Sequence, residues 1–180
     1  GSSWAPNSHK LLVTLTSGQR PADIWMLDVD NEKVERVTFT DLQGLNKEDM
    51  VEPQLCHFTS FDGLTVPYWL YKGSNSSHSK AVVIEVHGGP EGQERPTFSP
   101  MLQYLLNEGL TIVAPNVRGS IGYGKTYHHL DDIEKRLDSV HDAACLAEHL
   151  VQTGIADKDK IAIMGASYGG YMTLSCVTRY

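Results

Sequence analysis

The 180-residue chain is short of several things, and each shortage narrows what it can be. It has three cysteines, Cys56, Cys145 and Cys176, odd in number, far apart and without Cys-x-x-Cys spacing. Neither a disulfide framework nor a cysteine zinc site is expected, and a reducing, cytoplasmic setting fits. Dense basic runs are missing too: Lys+Arg 15 against Asp+Glu 22 leaves a net charge of -7. Neutralising phosphates requires clustered Lys and Arg, so neither nucleic acid nor an anionic membrane is expected as a partner. No apolar stretch approaches the ~18 residues that span a bilayer. The opening Gly1-Ser2-Ser3 has neither Met nor the charged-then-apolar pattern of a leader peptide, so the chain reads as starting mid-protein. His128-His129 with Asp131, Asp132 and Glu134 follows no metal-ligand spacing and reads as a solvated polar loop. Gly119-x-x-Gly122-x-Gly124 is not the Gly-x-Gly-x-x-Gly dinucleotide fingerprint, and no cofactor is expected.

What is present is ordinary globular material, 41% hydrophobic and 21% charged, in a length that suits one domain or one plus part of another. Residues 9–16, 23–29 and 33–39 read as strands, the last two flanking a turn at Asp30-Asn31-Glu32. Three antiparallel strands cannot close a core, so residues 1–50 are expected to be a strand-rich remnant, like the end of a propeller blade, plus a polar linker over 41–52. Residues 54–60 and 64–71 form a second hairpin about Phe61-Asp62-Gly63. Residues 72–80 read as a surface loop containing the glycosylation sequon Asn75-Ser76-Ser77, which matters only in a secreted protein.

From Ala81 the pattern changes. The β-branched run 81–86 suits a strand buried on both faces of a parallel sheet. Ser99 and Pro100 open a helix with Met101, Leu102, Leu105 and Leu106 on one face, and Gly109 ends it. Residues 110–114 form the next strand. A helix from Asp138 carries Val140, Ala143, Ala144, Ala147, Leu150 and Val151 at helical spacing as far as Gly154. The run 161–164 is the last strand. Strand, helix, strand, helix, strand over 51–180 is an α/β pattern with a mostly parallel sheet.

Gly165-Ala166-Ser167-Tyr168-Gly169 follows that last strand and precedes a helix, the context of a nucleophile elbow. Acyl transfer also needs donors for the developing oxyanion. One is the backbone N–H after the serine, here Tyr168; the other comes from an early loop that is often glycine-rich. His87-Gly88-Gly89-Pro90, at the end of the 81–86 strand, stands where that loop belongs.

These residues, with Asn116-Val117-Arg118-Gly119-Ser120-Ile121-Gly122-Tyr123-Gly124 and Gly165-Ala166-Ser167-Tyr168-Gly169-Gly170-Tyr171 in this order, resemble the prolyl oligopeptidase family of serine peptidases, in its acylaminoacyl-peptidase and dipeptidyl-peptidase-like branch. The resemblance implies an α/β-hydrolase domain capped by a β-propeller that admits short peptides, which accounts for the strand-rich start. It implies Ser167 as nucleophile, Tyr168 with Gly88 and Gly89 as the oxyanion hole, and His87 and Arg118 as structural residues of nearby loops.

One departure limits this. In α/β-hydrolases the order is Ser, then Asp or Glu, then His, yet residues 168–180 contain no acid and no histidine. The expectation is the front half of a hydrolase domain, inactive by itself and able to self-associate through its sheet edge. His87 as a substitute base is the minor alternative. An esterase or lipase, or a non-catalytic peptide-binding module, remains open beside the peptidase reading.

Overall fold

The computed structural model describes residues 1–42, 44, 46–73 and 79–180. The sequon Asn75-Ser76-Ser77 and most of its loop lie outside the described residues, as do two positions of the 41–52 linker. The chain divides into two compact units, residues 1–52 with 96–100, and residues 53–95 with 101–180.

In the first unit, β1 (Ser2–Trp4), β2 (Lys10–Ser17), β3 (Arg20–Asp28) and β4 (Lys33–Arg36) pair antiparallel in chain order. The sequence reading has three of these strands. β1 is too short to alternate visibly and is held only by its pairing, Ser2 opposite Val13 and Trp4 opposite Leu11. Four antiparallel strands match the size of one propeller blade. β4 also stops sooner than the apolar pattern to Phe39 suggests. The reason is Asp23, 4% exposed, which accepts from the Arg36 guanidinium, the Thr38 hydroxyl (2.9 Å) and the Thr40 N–H (2.9 Å). Beyond Arg36 the Val37 and Thr38 N–H groups converge on the one acceptor Ile24 O (2.8 and 3.3 Å), which ends the ladder, and Asp23 holds the residues that follow.

The second unit is built on a five-stranded sheet of β5 (Gln54–Thr59), β6 (Thr65–Lys72), β7 (Val82–Val86), β8 (Thr111–Pro115) and β9 (Ile161–Gly165), in the order β5-β6-β8-β7-β9. β5 pairs antiparallel with β6, and β6 with β8, while β7 runs parallel to both β8 and β9. Only β6 is reversed, so the sheet is mixed in pairing and mostly parallel in direction. Between strands lie α1 (Pro100–Asn107), the short α2 (Lys125–His128), α3 (Arg136–Gln152) and α4 (Tyr168–Arg179).

The core explains the periodicities. Val82, Ile84 and Val86 alternate inward from β7 and pack in one cluster with Val140, Ala143, Leu146 and Leu150 of α3 and Met172 and Cys176 of α4. Burying each such large side chain contributes about 1.5–3 kcal/mol. β8, the central strand of the five, is buried at all five positions, as a two-faced strand should be. β7 differs from the expected continuous burial, because Val83 and Glu85 face the other side and are only half-buried. On α1, Leu102 and Leu106 are buried as expected, but Met101 is 53% exposed and Gln103 takes a buried place.

Candidate active site

Because β8, β7 and β9 are parallel neighbours, their carboxyl ends open on one edge of the sheet, where open α/β sheets hold their ligands. The three loops singled out from the sequence leave these ends: Asn116 to Gly124 from β8, His87 to Glu94 from β7, and the serine turn from β9. β7 lies between the other two, so its loop touches both.

The turn after β9 has the backbone of a nucleophile elbow. Ser167 takes φ 57 and ψ -119, a conformation disfavoured for a residue with a side chain, and stands exposed between strand and helix. Hydrogen bonds hold the turn, from Gly169 N–H to Ala166 O (2.9 Å) and from Gly170 N–H to Ser167 O (3.0 Å). The glycines on either side allow the close approach of strand and helix to β7. A Cβ on Gly165 would lie 2.6 Å from Val86 O, and one on Gly169 only 2.1 Å from it. Tyr168 is the first residue of α4, so its N–H has no intrahelical acceptor and is available to an anion. Its ring is held by the Arg136 guanidinium 5.4 Å above it and by a hydroxyl contact to Ser139 (3.2 Å).

Gly88 lies against this turn: a Cβ there would be 3.3 Å from Ala166 O and 3.6 Å from Ser167 Cβ. Gly89 follows with φ 146, in the region that favours glycine. The structure therefore brings together Ser167, Tyr168, Gly88 and Gly89. His87 is adjacent but turned elsewhere. Its Nδ1 is 2.8 Å from Gly88 O and its Nε2 is 2.8 Å from Ser120 Oγ, so both ring nitrogens are engaged. Among the described residues no side chain is hydrogen-bonded to Ser167 Oγ.

The β7 and β8 loops are tied to each other at several points. The buried Asn116 side chain accepts from Glu94 N–H (2.7 Å) and donates to Glu94 O (3.1 Å), imitating a strand pair. Ile121 N–H donates to Gly92 O (2.9 Å), and a Cβ on Gly122 would strike the Gln93 amide. Arg118, 3% exposed, binds away from the serine. It forms a two-pronged contact with Asp142 (2.8 and 2.9 Å) and another with Asp62 (2.9 and 3.0 Å), with its guanidinium 4.6 Å above the Phe61 ring. Burial by itself would lower the Arg118 pKa, but the two carboxylates hold it above its ordinary value. Ser60 adds a 2.6 Å bond to Asp142, so one guanidinium joins the β5–β6 hairpin, the β8 loop and α3.

Asp142 is the residue that sequence reading misses. It sits fully buried on a helix face made otherwise of Ser139 and apolar residues, and its signal is the one acidic interruption between Val140 and Ala143. A second buried group is also absent from the sequence account. Glu85 Oε2 and Tyr71 Oη are buried without hydrogen-bond partners, and burial together with the Glu85 charge pushes the Glu94 pKa up to about 7. The histidine pair does not gather ligands: His128 faces Glu91 (3.7 Å) and His129 faces Asp132 (2.7 Å). Among the described residues no three His, Cys, Asp or Glu side chains are grouped to hold a metal, and no helix is long and apolar enough to cross a membrane. The three cysteines are free.

Comparison with known proteins agrees with this architecture. Residues 96–180 match the model of the prolyl oligopeptidase family, Peptidase_S9. The chain is 29% identical over 189 residues to dipeptidyl peptidase family member 6 of Caenorhabditis elegans, covering 93% of this chain and 25% of that protein. Among solved structures it resembles the acylaminoacyl peptidase of Pyrococcus horikoshii, with a TM-score of 0.81 and 28% identity over all of this chain and 28% of that one. A puromycin-hydrolyzing peptidase of Mycobacterium tuberculosis superposes with a TM-score of 0.84 at 26% identity, over 96% of this chain and 28% of the other. The chain thus spans about a quarter of the length of the relatives it matches.

Proposed function

From its similarity to the prolyl oligopeptidase family of serine peptidases, we propose that this chain supplies the nucleophile and oxyanion hole of a peptidase acting on short peptides. Ser167 Oγ attacks the scissile carbonyl and passes its proton to a base. The tetrahedral oxyanion is held by the N–H of Tyr168 and by the Gly88/Gly89 turn, and the C–N bond then breaks, releasing the amine with a proton and leaving an acyl-enzyme that water hydrolyses. The strained backbone of Ser167, with Gly88 against it, is the observation that carries this reading. His87 is not the base in it, because both ring nitrogens are occupied. The base and its orienting acid come from outside residues 168–180, in the order usual for this fold. The 1–52 unit acts as part of a propeller that limits access.

The test is covalent labelling of the full-length protein by a fluorophosphonate. Labelling is expected to vanish in Ser167→Ala, and labelling that persists overturns the assignment. An esterase would share elbow and oxyanion loop, so kcat/KM for an N-acylated peptide is to be compared with that for a simple ester. A faster ester and no peptide turnover would favour the esterase, and no turnover of either would favour a binding module.

A further inference from the structure

The Tyr168 N–H can serve an oxyanion only while the first turn of α4 is held still, and that turn opens on the strained Ser167. The Tyr168 side chain is what holds it to the rest of the unit. Ser139 Oγ donates to Arg136 O (2.8 Å), so the Tyr168 hydroxyl, 3.2 Å from the same Oγ, is the donor of that contact. Ser139 is fully buried and cannot follow a moving ring. The Tyr171 ring lies 5.3 Å from the Tyr168 ring, and the Arg136 guanidinium stands over it at 5.4 Å.

Arg136 is the first residue of α3, where a cation opposes the helix dipole, so α3 itself gains nothing from it. Its Nη1 donates to Asp131 Oδ2 at 2.5 Å, and Asp131 is only 3% exposed. That carboxylate rests on the β8 loop: a Cβ on Gly119 would lie 2.2 Å from Asp131 Oδ1. The pair also closes a turn around Ile133, whose φ of 51 is costly for a β-branched residue and is kept although the side chain is exposed. Contacts thus run without a gap from the β8 loop through Asp131 and Arg136 to the ring beside Ser167. We propose, on the reading that Ser167 is the nucleophile, that Arg136 is a positioning residue: seated by Asp131, its guanidinium clamps the Tyr168 ring and keeps the Tyr168 N–H aimed at the oxyanion.

The test uses the full-length protein, a peptide substrate, a peptide aldehyde whose adduct places an oxyanion in the same hole, and a fluorophosphonate to count the active serines. In Arg136→Met, kcat per labelled serine is expected to fall about 10-fold with little change in KM, since one oxyanion donor is misaimed. The aldehyde inhibition constant should rise by a matching factor, because the loss is confined to the tetrahedral state. Arg136→Lys, which keeps a charge for Asp131 but offers the ring no planar face, should fall between the two. Asp131→Asn should show a smaller loss of the same kind, and these two variants read the clamp even if Arg136→Met fails to fold. Tyr168→Leu keeps the N–H and removes the ring, so adding Arg136→Met to it should cost nothing further. An unchanged kcat per labelled serine, a rise in KM at constant kcat, or losses that multiply in the double variant would overturn the proposal. Ser167→Ala in the same series separates the two readings: persistent labelling there sinks the nucleophile, while labelling lost there with unchanged kcat in Arg136→Met sinks the clamp alone.

Discussion

Glu94 shows how one side chain can set a pH dependence away from the serine. Its backbone is fixed by the Asn116 side chain on both its N–H and its C=O and by the Trp69 indole N–H (3.3 Å), which anchors the start of the side chain beside Glu85. Burial first, and then the neighbouring Glu85 charge, raise its pKa to about 7. A carboxyl raised on folding favours the folded state fully below its unfolded pKa, and that contribution is lost as pH climbs through the folded value. Stability should therefore decline between about pH 4.5 and 7, by at most about 3 kcal/mol from a shift of this size. Glu94→Gln should remove the decline, raising the urea midpoint at pH 8 and leaving it nearly unchanged at pH 5. A midpoint that moves equally at both values would show that packing, not ionisation, dominates. Arg118 illustrates the opposite case, a buried charge kept charged by paired carboxylates. Such a cation is a structural tie, and its sequence position beside a glycine-rich loop does not distinguish that from substrate binding.

At the scale of elements, the serine turn depends on how closely β9 and α4 approach the end of β7. The limiting contact is Gly169, where a Cβ would meet the Val86 carbonyl at 2.1 Å, a backbone atom within the sheet that cannot rotate aside. Gly169→Ala should therefore destabilise by about 1–3 kcal/mol or more and slow labelling of Ser167, since relief requires α4 to lift. Gly170 provides the control. A Cβ there meets only Gly165 O at 3.4 Å, an ordinary contact, so Gly170→Ala should be neutral or stabilise α4 by about 0.5–1 kcal/mol. Thermal unfolding of the pair, read with labelling rates, checks both. Equal effects would mean that helix propensity rather than the approach to β7 governs this turn.

At the scale of the molecule, three loops meet because β8, β7 and β9 are adjacent and parallel. This presents Ser167 beside the Tyr168 N–H and the Gly88–Gly89 turn, the proposed oxyanion donors, and among the described residues no side chain is hydrogen-bonded to Ser167 Oγ. In a well-studied serine protease, loss of the base costs a factor of about 10⁶ in kcat. The purified 180-residue chain is therefore expected to hydrolyse peptides at no more than trace rates. β9 ends the sheet order, and an edge strand offers unpaired backbone groups. Self-association of the isolated chain is the corresponding expectation, read by sedimentation at several concentrations. Efficient turnover by a monomer would contradict both statements.

Sequence alone determined the local features. Apolar period placed β7, β8, β9 and α3, and glycine with a small residue around Ser167 marked the sharp turn, because periodicity and backbone freedom are properties of neighbours along the chain. It missed β1, extended β4 past Arg36 and exposed neither Asp142 nor the Glu85–Glu94–Tyr71 group. Those depend on partners far away: β1 exists through its pairing with β2, β4 ends where Asp23 captures the following residues, and Asp142 is tolerated in a core only because Arg118 reaches it from 24 positions earlier. Tertiary structure likewise decided what His87 does. From sequence His87 is a residue of loop architecture with the base role as a minor alternative, and its two nitrogens, facing Gly88 O and Ser120, leave neither for Ser167, because a proton's destination is set by geometry and not by residue type.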